Sequence, residues 1–111
     1  VGPILDTPLA LCDARSVSHD DWVETDLIYR ERIGEINLAR HHPGHRWYYY
    51  AAMQPHEVLV FVSYASPLET PARISPHPSP RMTPHCAFDL PDIPADAPPR
   101  QSIETRCLIL L

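Results

Sequence analysis

The sequence predicts a mainly β domain of the sandwich or jelly-roll class, with one long proline-rich loop. Short apolar and aromatic runs with strand-like alternation recur along the chain, and extended helical periodicity is absent. Fourteen of the 111 residues are proline, and ten of these lie between positions 67 and 99. Because proline cannot donate to a strand ladder, that stretch is expected to have little regular structure.

The alternation of apolar and polar residues predicts about five strands. Residues 35–40 and 46–51 are expected to pair as a β-hairpin around the turn residues Pro43 and Gly44. Residues 58–64 (VLVFVSY) form a nearly continuous apolar run, which predicts a strand buried on both faces. The predicted strands are 9–12, 35–40, 46–51, 58–64 and 103–111. A complete jelly roll has about eight strands, so we expect part of a larger β domain.

Composition excludes several classes of function. The net charge is −5, whereas a surface that follows nucleic-acid phosphates needs a basic excess. All nine basic residues are arginine, which excludes a P-loop or Schiff-base lysine. Cys12, Cys86 and Cys107 are odd in number and widely spaced, as expected of a reducing compartment. No apolar run is long enough for a membrane span, and the cysteines fit a cytoplasmic setting best.

The chain has seven histidines, and their positions in the sequence distinguish surface or capping residues from candidate metal ligands. His41, His42 and His45 cluster at the predicted hairpin turn, where solvated surface histidines are the expected outcome. His19 and Asp21 match the letters of a His-x-Asp metal motif. The capping-box spacing from Ser18 to Asp21 favours a cap on one or two helical turns instead.

His85 is the histidine whose surroundings fit a catalytic site. Arg100 and Ser102 follow it at a spacing that suits the C-terminal half of an iron and 2-oxoglutarate site. Such a site needs two histidines and one carboxylate on the metal. A guanidinium then binds the far carboxylate of 2-oxoglutarate with two parallel hydrogen bonds. Arg106 competes with Arg100 for this role, or forms a same-face ion pair with Glu104.

Residues 46–50 (RWYYY) leave two interpretations open. They could form an aromatic core with an arginine stacked on its edge. They could instead form an aromatic wall that faces a substrate.

Seven ordered segments together resemble one family. They are 8–17 (PLALCDARSV), 26–29 (DLIY), 34–35 (GE), 45–49 (HRWYY), 53–57 (MQPHE), 83–89 (TPHCAFD) and 94–106 (PADAPPRQSIETR). As a set they closely resemble the C-terminal region of the fungal asaB-type hydroxylase/desaturase family, which is related to cephem-methoxylase-like proteins.

That resemblance implies a non-haem iron, 2-oxoglutarate-dependent oxygenase of secondary metabolism, built on a double-stranded β-helix (jelly roll). It implies Fe(II) and 2-oxoglutarate as cofactors, and hydroxylation or desaturation of a small molecule as the reaction. By similarity, His85 looks like the distal iron ligand, and Arg100 or Arg106, with Ser102, like the 2-oxoglutarate anchor. The pocket wall would include the side chains of His45, Arg46, Trp47, Tyr48 and Tyr49.

The chain departs from the family pattern in two respects. The family's His-x-Asp metal motif lies upstream of Val1, so the metal-binding set is incomplete, and residues 1–111 are expected to be the C-terminal part of one oxygenase-like domain. Residues 66–80 look inserted, because residues 73–77 (RISPH) are echoed by 81–85 (RMTPH). A translated intron or a local duplication would explain the insertion.

Two other classes of function compete with the oxygenase. A non-catalytic β-domain or proline-rich interaction module could use Pro91 and Pro94 as a Pro-x-x-P motif. A cysteine nucleophile at Cys86 is disfavoured, because the side chain of His85 next to it points to the opposite face of a strand.

Overall fold

The computed structural model describes residues 2–65 and 82–109, which are organised as two small antiparallel sheets. The described elements are β1 (Leu9–Cys12), β2 (Trp22–Ile28), β3 (Ile33–Ala39), β4 (Trp47–Tyr49), β5 (His85–Ala87) and two single 3-10 turns, Ala14–Ser16 and His19–Asp21. The mainly β prediction is confirmed. No helix in the described part of the chain is long and apolar enough to cross a membrane.

The first sheet has three strands in the order β4-β1-β5. Leu11 of β1 pairs with Tyr48 of β4 on one side and with His85 of β5 on the other. The short β1 strand is therefore central, and it brings together two segments that are far apart in sequence.

The second sheet is a hairpin in which all seven residues of β2 pair with β3. The Tyr29 N–H donates to the Arg32 carbonyl at 2.9 Å, and the Arg32 guanidinium lies 4.6 Å from the Tyr29 ring centroid. The predicted hairpin between 35–40 and 46–51 is thus wrong. A four-residue connection to β2 costs less loop-closure entropy and pairs more residues than a hairpin with the three-residue β4 would.

The buried core lies on one face of β1, where Ala10 and Cys12 are buried; Pro8 and Pro84 are buried as well. Tyr49 and Phe88 pack edge to face on this side, with ring centroids 5.1 Å apart. Alternation along a strand places Leu11 on the opposite face of the sheet.

Residues 58–64 and 103–109 are not strands in the structure, so the prediction of two further strands is wrong for the described residues. Val60 is 90 % exposed and Ile103 is 96 % exposed. Within the described residues, the first segment accepts a backbone hydrogen bond from Thr83 N–H at the Val62 carbonyl, at 2.9 Å. An apolar run becomes a buried strand only when neighbouring strands take up its hydrogen bonds.

The predicted insertion at 66–80 lies outside the described residues. Within the proline-rich stretch, β5 forms at 85–87, and turns follow at residues 91–92 and 95–96. The Ala97 N–H donates to the Pro94 carbonyl at 2.9 Å. Pro91 and Pro94 therefore belong to a turning segment, unlike the continuous polyproline helix of a Pro-x-x-P ligand.

Candidate active site

One row of side chains crosses the three-stranded sheet from Tyr48 through Leu11 to His85. Residues directly opposite one another in an antiparallel pair share a face, so all three project to the same side. Two strand spacings, about 10 Å, separate the backbones of β4 and β5. This face is opposite the one that carries the buried Ala10 and Cys12. We call it the His85 face.

The hydrogen bonding of His85 selects its tautomer. Nδ1 lies 2.9 Å from the Thr83 carbonyl oxygen. A carbonyl can only accept, so Nδ1 carries the proton, and Nε2 of the neutral ring has its lone pair for a metal or a proton. Phe61 packs beside the ring, with centroids 4.7 Å apart. Metal-bound histidines characteristically make this kind of hydrogen bond through their other nitrogen.

Just beyond β1, Asp13 binds two arginines. Arg15 donates from Nε to Oδ1 and from a terminal nitrogen to Oδ2, both at 2.9 Å. Arg46 donates to Oδ2, also at 2.9 Å, although it lies 33 positions away in the sequence. The backbone joins the same two segments, because the Asp13 N–H donates to the Arg46 carbonyl at 2.8 Å. We call Asp13, Arg15 and Arg46 the Asp13 clamp.

Charge in the clamp is strongly coupled. The Arg15 guanidinium is the largest cause, and the Arg46 guanidinium the second, of a pKa of the Asp13 carboxyl well below its usual range. Asp13 in turn raises the pKa of both arginines. Tyr48 follows Arg46 by two positions where the chain runs into β4, so strand alternation puts its side chain on the same face as that of Arg46. The clamp therefore adjoins the Tyr48 end of the row on the His85 face.

His45, one of the expected pocket residues, makes a buried contact with Asp21. Its side chain is 2 % exposed, and Nε2 lies 3.0 Å from the Asp21 carboxylate. The expectation of a solvated side chain at this position is therefore wrong. His41 and His42 are exposed, as expected of a turn.

Residues 46–49 do not act as one wall. Arg46 and Tyr48 are two positions apart and share the His85 face. Trp47 and Tyr49 belong to the opposite face, where Tyr49 packs on Phe88. A single wall of four consecutive residues conflicts with the alternation of a strand, so only every second side chain reaches one site.

Ser18 to Asp21 form the predicted capping box on a single 3-10 turn. The Ser18 side chain accepts from the backbone of the turn, and the Ser18 N–H donates to the Asp21 carboxylate at 2.9 Å. The capping interpretation of this segment is confirmed, and Asp21 is occupied by the cap and by His45.

Arg100, Ser102 and Arg106 lie in a segment without regular secondary structure, outside both sheets. Arg106 donates to Glu104 at 3.1 Å, and both side chains are exposed. The alternative of a local ion pair is thus confirmed. Within the described part of the chain, no hydrogen bond or ion pair joins this segment to His85.

A complete metal-binding set is not present in residues 2–65 and 82–109, where no three His, Cys, Asp or Glu side chains converge. His85 supplies one imidazole in the right tautomer. The sequence interpretation missed Asp13 and Arg15 as site residues. Asp13 could have been found as the residue that caps the turn Ala14–Ser16, but its link to Arg46 exists only in the fold.

Comparison with known proteins identifies what the chain is similar to. A family profile described as an oxidoreductase/YMDC permease-like domain matches residues 1–110. The chain is 35 % identical over 114 residues to an Fe(II)/2-oxoglutarate-dependent dioxygenase, nvfI, of Aspergillus novofumigatus. It is 36 % identical over 111 residues to aspirochlorine biosynthesis protein N of Aspergillus oryzae. It is also 31 % identical over 123 residues to the hydroxylase/desaturase asaB of Aspergillus flavus.

These matches cover 98 %, 97 % and 96 % of this chain but only 37 %, 43 % and 50 % of the respective relatives. They fall in the C-terminal part of each relative. Among solved structures, the iron and alpha-ketoglutarate-dependent endoperoxidase NvfI superposes with a TM-score of 0.63 at 29 % identity. That superposition covers 90 % of this chain and 34 % of the endoperoxidase.

Proposed function

The chain belongs to the oxidoreductase/YMDC permease-like family, and we propose that it is the C-terminal part of an Fe(II)/2-oxoglutarate-dependent hydroxylase or desaturase of fungal secondary metabolism. The proposal covers residues 1–111 as one part of a single jelly-roll domain, with 66–80 as an insertion. Exposure of the apolar segments 58–64 and 103–109 supports this assignment, because strands elsewhere in such a domain would cover them.

The observation that carries the proposal is the tautomer and position of His85. Its Nδ1 proton is engaged by the Thr83 carbonyl, so Nε2 is directed to act as a ligand. Fe(II) in this class takes two histidines and one carboxylate on one face of the metal. His85 fits one of these positions, and the remaining two would come from a His-x-Asp motif outside residues 1–111. When bound, Fe(II) and 2-oxoglutarate would supply the oxidising chemistry.

The residues of this chain would then bind and orient the reactants. Phe61 packs beside the His85 ring and Leu11 is its partner on β1, so apolar side chains flank an imidazole that is exposed in residues 1–111. Arg46 and Tyr48 would contribute to the substrate pocket from the other end of the row. Arg100 and Ser102 remain our proposed anchor for 2-oxoglutarate, while Arg106 is less suited because it pairs with Glu104.

The substrate is proposed to be a small molecule, with no role for nucleic acid or membrane, in keeping with the net charge of −5. We also propose a cytoplasmic location. That proposal depends on the odd number and wide spacing of the cysteines.

The test is Fe(II)-dependent decarboxylation of 2-oxoglutarate by the complete protein that contains this chain. His85→Ala should abolish the activity and weaken Fe(II) binding. Cys86→Ala is the matched control, because it alters the next residue of β5 on the opposite face and should retain activity. Equal activity in the wild type and His85→Ala would refute the assignment of His85.

A further inference from the structure

We propose that Arg15, Arg46 and Tyr48 form a carboxylate-binding site at the edge of the active site. The ligand would be a small organic acid with an apolar body. This inference rests on the function proposed above, because that function makes the His85 face the catalytic one. It adds the chemical class of the molecule that binds there.

The first argument is the orientation of the two guanidiniums. Arg15 and Arg46 converge on the Asp13 carboxylate, which itself is only 12 % exposed. The two arginine side chains remain 76 % and 56 % exposed. Asp13 therefore holds them in place from below while the rest of each donor fork faces solvent. Arginines fixed in this way lose less conformational entropy when they bind a second carboxylate.

The second argument is charge. Two guanidiniums against one carboxylate leave a local excess of one positive charge, on a chain whose net charge is −5. Asp13 raises the pKa of both arginines, so they stay charged at any physiological pH. A planar carboxylate matches the geometry of a guanidinium fork, and Tyr48, on the same face of the sheet as Arg46, would donate one more hydrogen bond from its hydroxyl.

The third argument is position. Arg46 and Tyr48 share the His85 face, with Leu11 between Tyr48 and His85. The distance across this row, about 10 Å, suits a small molecule held at one end by its carboxylate. Its apolar body would then lie over Leu11 and reach the aromatic side of Phe61, next to His85.

Two molecules could supply the carboxylate, namely the substrate to be oxidised or 2-oxoglutarate itself. Both would be recognised by the same guanidinium chemistry. The experiment therefore includes a competition arm that separates them.

The probe is 1-naphthoate, with its uncharged methyl ester as the matched control, and binding to the complete protein is measured by calorimetry and ligand-observed NMR. We expect the acid to bind at least about tenfold more tightly than the ester, the effect of hydrogen bonds to a charged group. Arg46→Ala and Arg15→Ala should each weaken binding of the acid by about tenfold, with little effect on the ester.

Two further variants complete the design. Arg30→Ala, an exposed arginine at the end of the distant β2–β3 hairpin, should bind 1-naphthoate like the wild type. Arg46→Lys retains the positive charge, and it is the variant to measure if Arg46→Ala does not fold. Because lysine lacks the planar fork, we expect severalfold weaker binding. Equal binding of acid and ester, or unchanged binding in the Arg15 and Arg46 variants, would overturn the inference.

Competition with 2-oxoglutarate assigns the source. If 2-oxoglutarate displaces 1-naphthoate from the wild type, and this displacement is lost in Arg46→Ala, the site serves 2-oxoglutarate. If 2-oxoglutarate and 1-naphthoate bind to the protein at the same time, the site serves the substrate. His85→Ala separates the two proposals, because it should abolish decarboxylation and leave 1-naphthoate binding intact. A wild-type protein that binds the acid but never decarboxylates 2-oxoglutarate would refute the proposed function and retain the carboxylate site.

Discussion

The imidazole of His45 is buried against Asp21, with Nε2 3.0 Å from the carboxylate oxygen Oδ2. The same oxygen accepts from the Ser18 N–H, and the Asp21 carbonyl accepts from the Arg40 N–H at 2.7 Å. Asp21 thus joins the start of β2, the end of β3 and the segment that enters β4. His45, which was expected to be a solvated surface histidine, thus joins the two sheets through Asp21 of the capping box.

This pair predicts a pH-dependent stability. His45, and then the Ser18 backbone, lowers the pKa of Asp21 below the ordinary value of 3.8. A carboxyl with a lowered pKa contributes stability that is complete above its ordinary pKa and is lost as the pH falls through the lowered one. Asp21→Asn should therefore lower Tm by several degrees near neutral pH, and the difference from wild type should shrink below about pH 4.

Thermal unfolding monitored by circular dichroism at a series of pH values checks this. Asp20→Asn is the matched control, because Asp20 is exposed and lies 3.8 Å from an equally exposed His19. It should leave Tm unchanged within error. A loss of Tm in Asp21→Asn that persists unchanged into acid would contradict the assigned role of the charge.

The Asp13 clamp predicts an order of effects. Arg15 is the larger cause of the lowered pKa of Asp13, and Arg46 is the second. Removing either guanidinium should raise the pKa of Asp13 towards its ordinary range, more in Arg15→Ala than in Arg46→Ala. The measurement is a carbon-13 NMR titration of the side-chain carboxyls. Arg32 stacks on Tyr29, so Arg32→Ala is the control and should leave the pKa of Asp13 unchanged. A larger rise of this pKa in Arg46→Ala than in Arg15→Ala would disprove the assignment.

Close packing around Ala10 predicts a cost for a larger side chain. Ala10 is one of two buried apolar residues on the core face of β1. Ala10 is 6 % exposed between β4 and β5, so the larger side chain of Ala10→Leu should lower the free energy of unfolding by about 1–3 kcal/mol. Ala95→Leu, at an exposed turn, should change it by no more than about 0.5 kcal/mol. Denaturant unfolding of both variants measures the difference, and a neutral Ala10→Leu would mean that the site has room.

The exposed segment 58–64 gives a test of the proposed domain. Val60 is exposed in residues 1–111 but should be covered by a neighbouring strand in the complete protein. Val60→Asp should then bury a charge without a partner and destabilise the complete protein by at least about 2 kcal/mol. Ile28→Asp, at the exposed end of β2, is the control and should be nearly neutral. Equal, small effects in both variants would show that Val60 faces solvent and would argue against the domain assignment.

Local chemistry explains which elements could be predicted from the sequence. β1 and the Ser18 capping box were predicted correctly, because each depends on residues within a few positions of one another. β3 and β4 were also predicted as strands, with slightly different ends. β2 was missed, since its alternation follows directly on a capping signature that favours a helix.

The local sequence patterns do not determine which strands pair with each other. The sequence could assign alternation to β3 and β4 but could not show that β3 pairs with β2 and β4 with β1, because that depends on competing loop closures. Likewise, segment 58–64 is apolar enough for a buried strand, but burial depends on a neighbour to receive it.

The sequence by itself determined the mainly β class, the family, and the choice of His85 as a residue worth testing, because these follow from composition, periodicity and short motifs. The tertiary structure decided which side chains share a site. It placed Tyr48 and His85 on either side of Leu11, joined Asp13 to Arg46, and buried His45 on Asp21. These contacts join residues 24 to 74 positions apart, and the tertiary fold brings such distant positions within hydrogen-bonding distance or onto one face of a sheet.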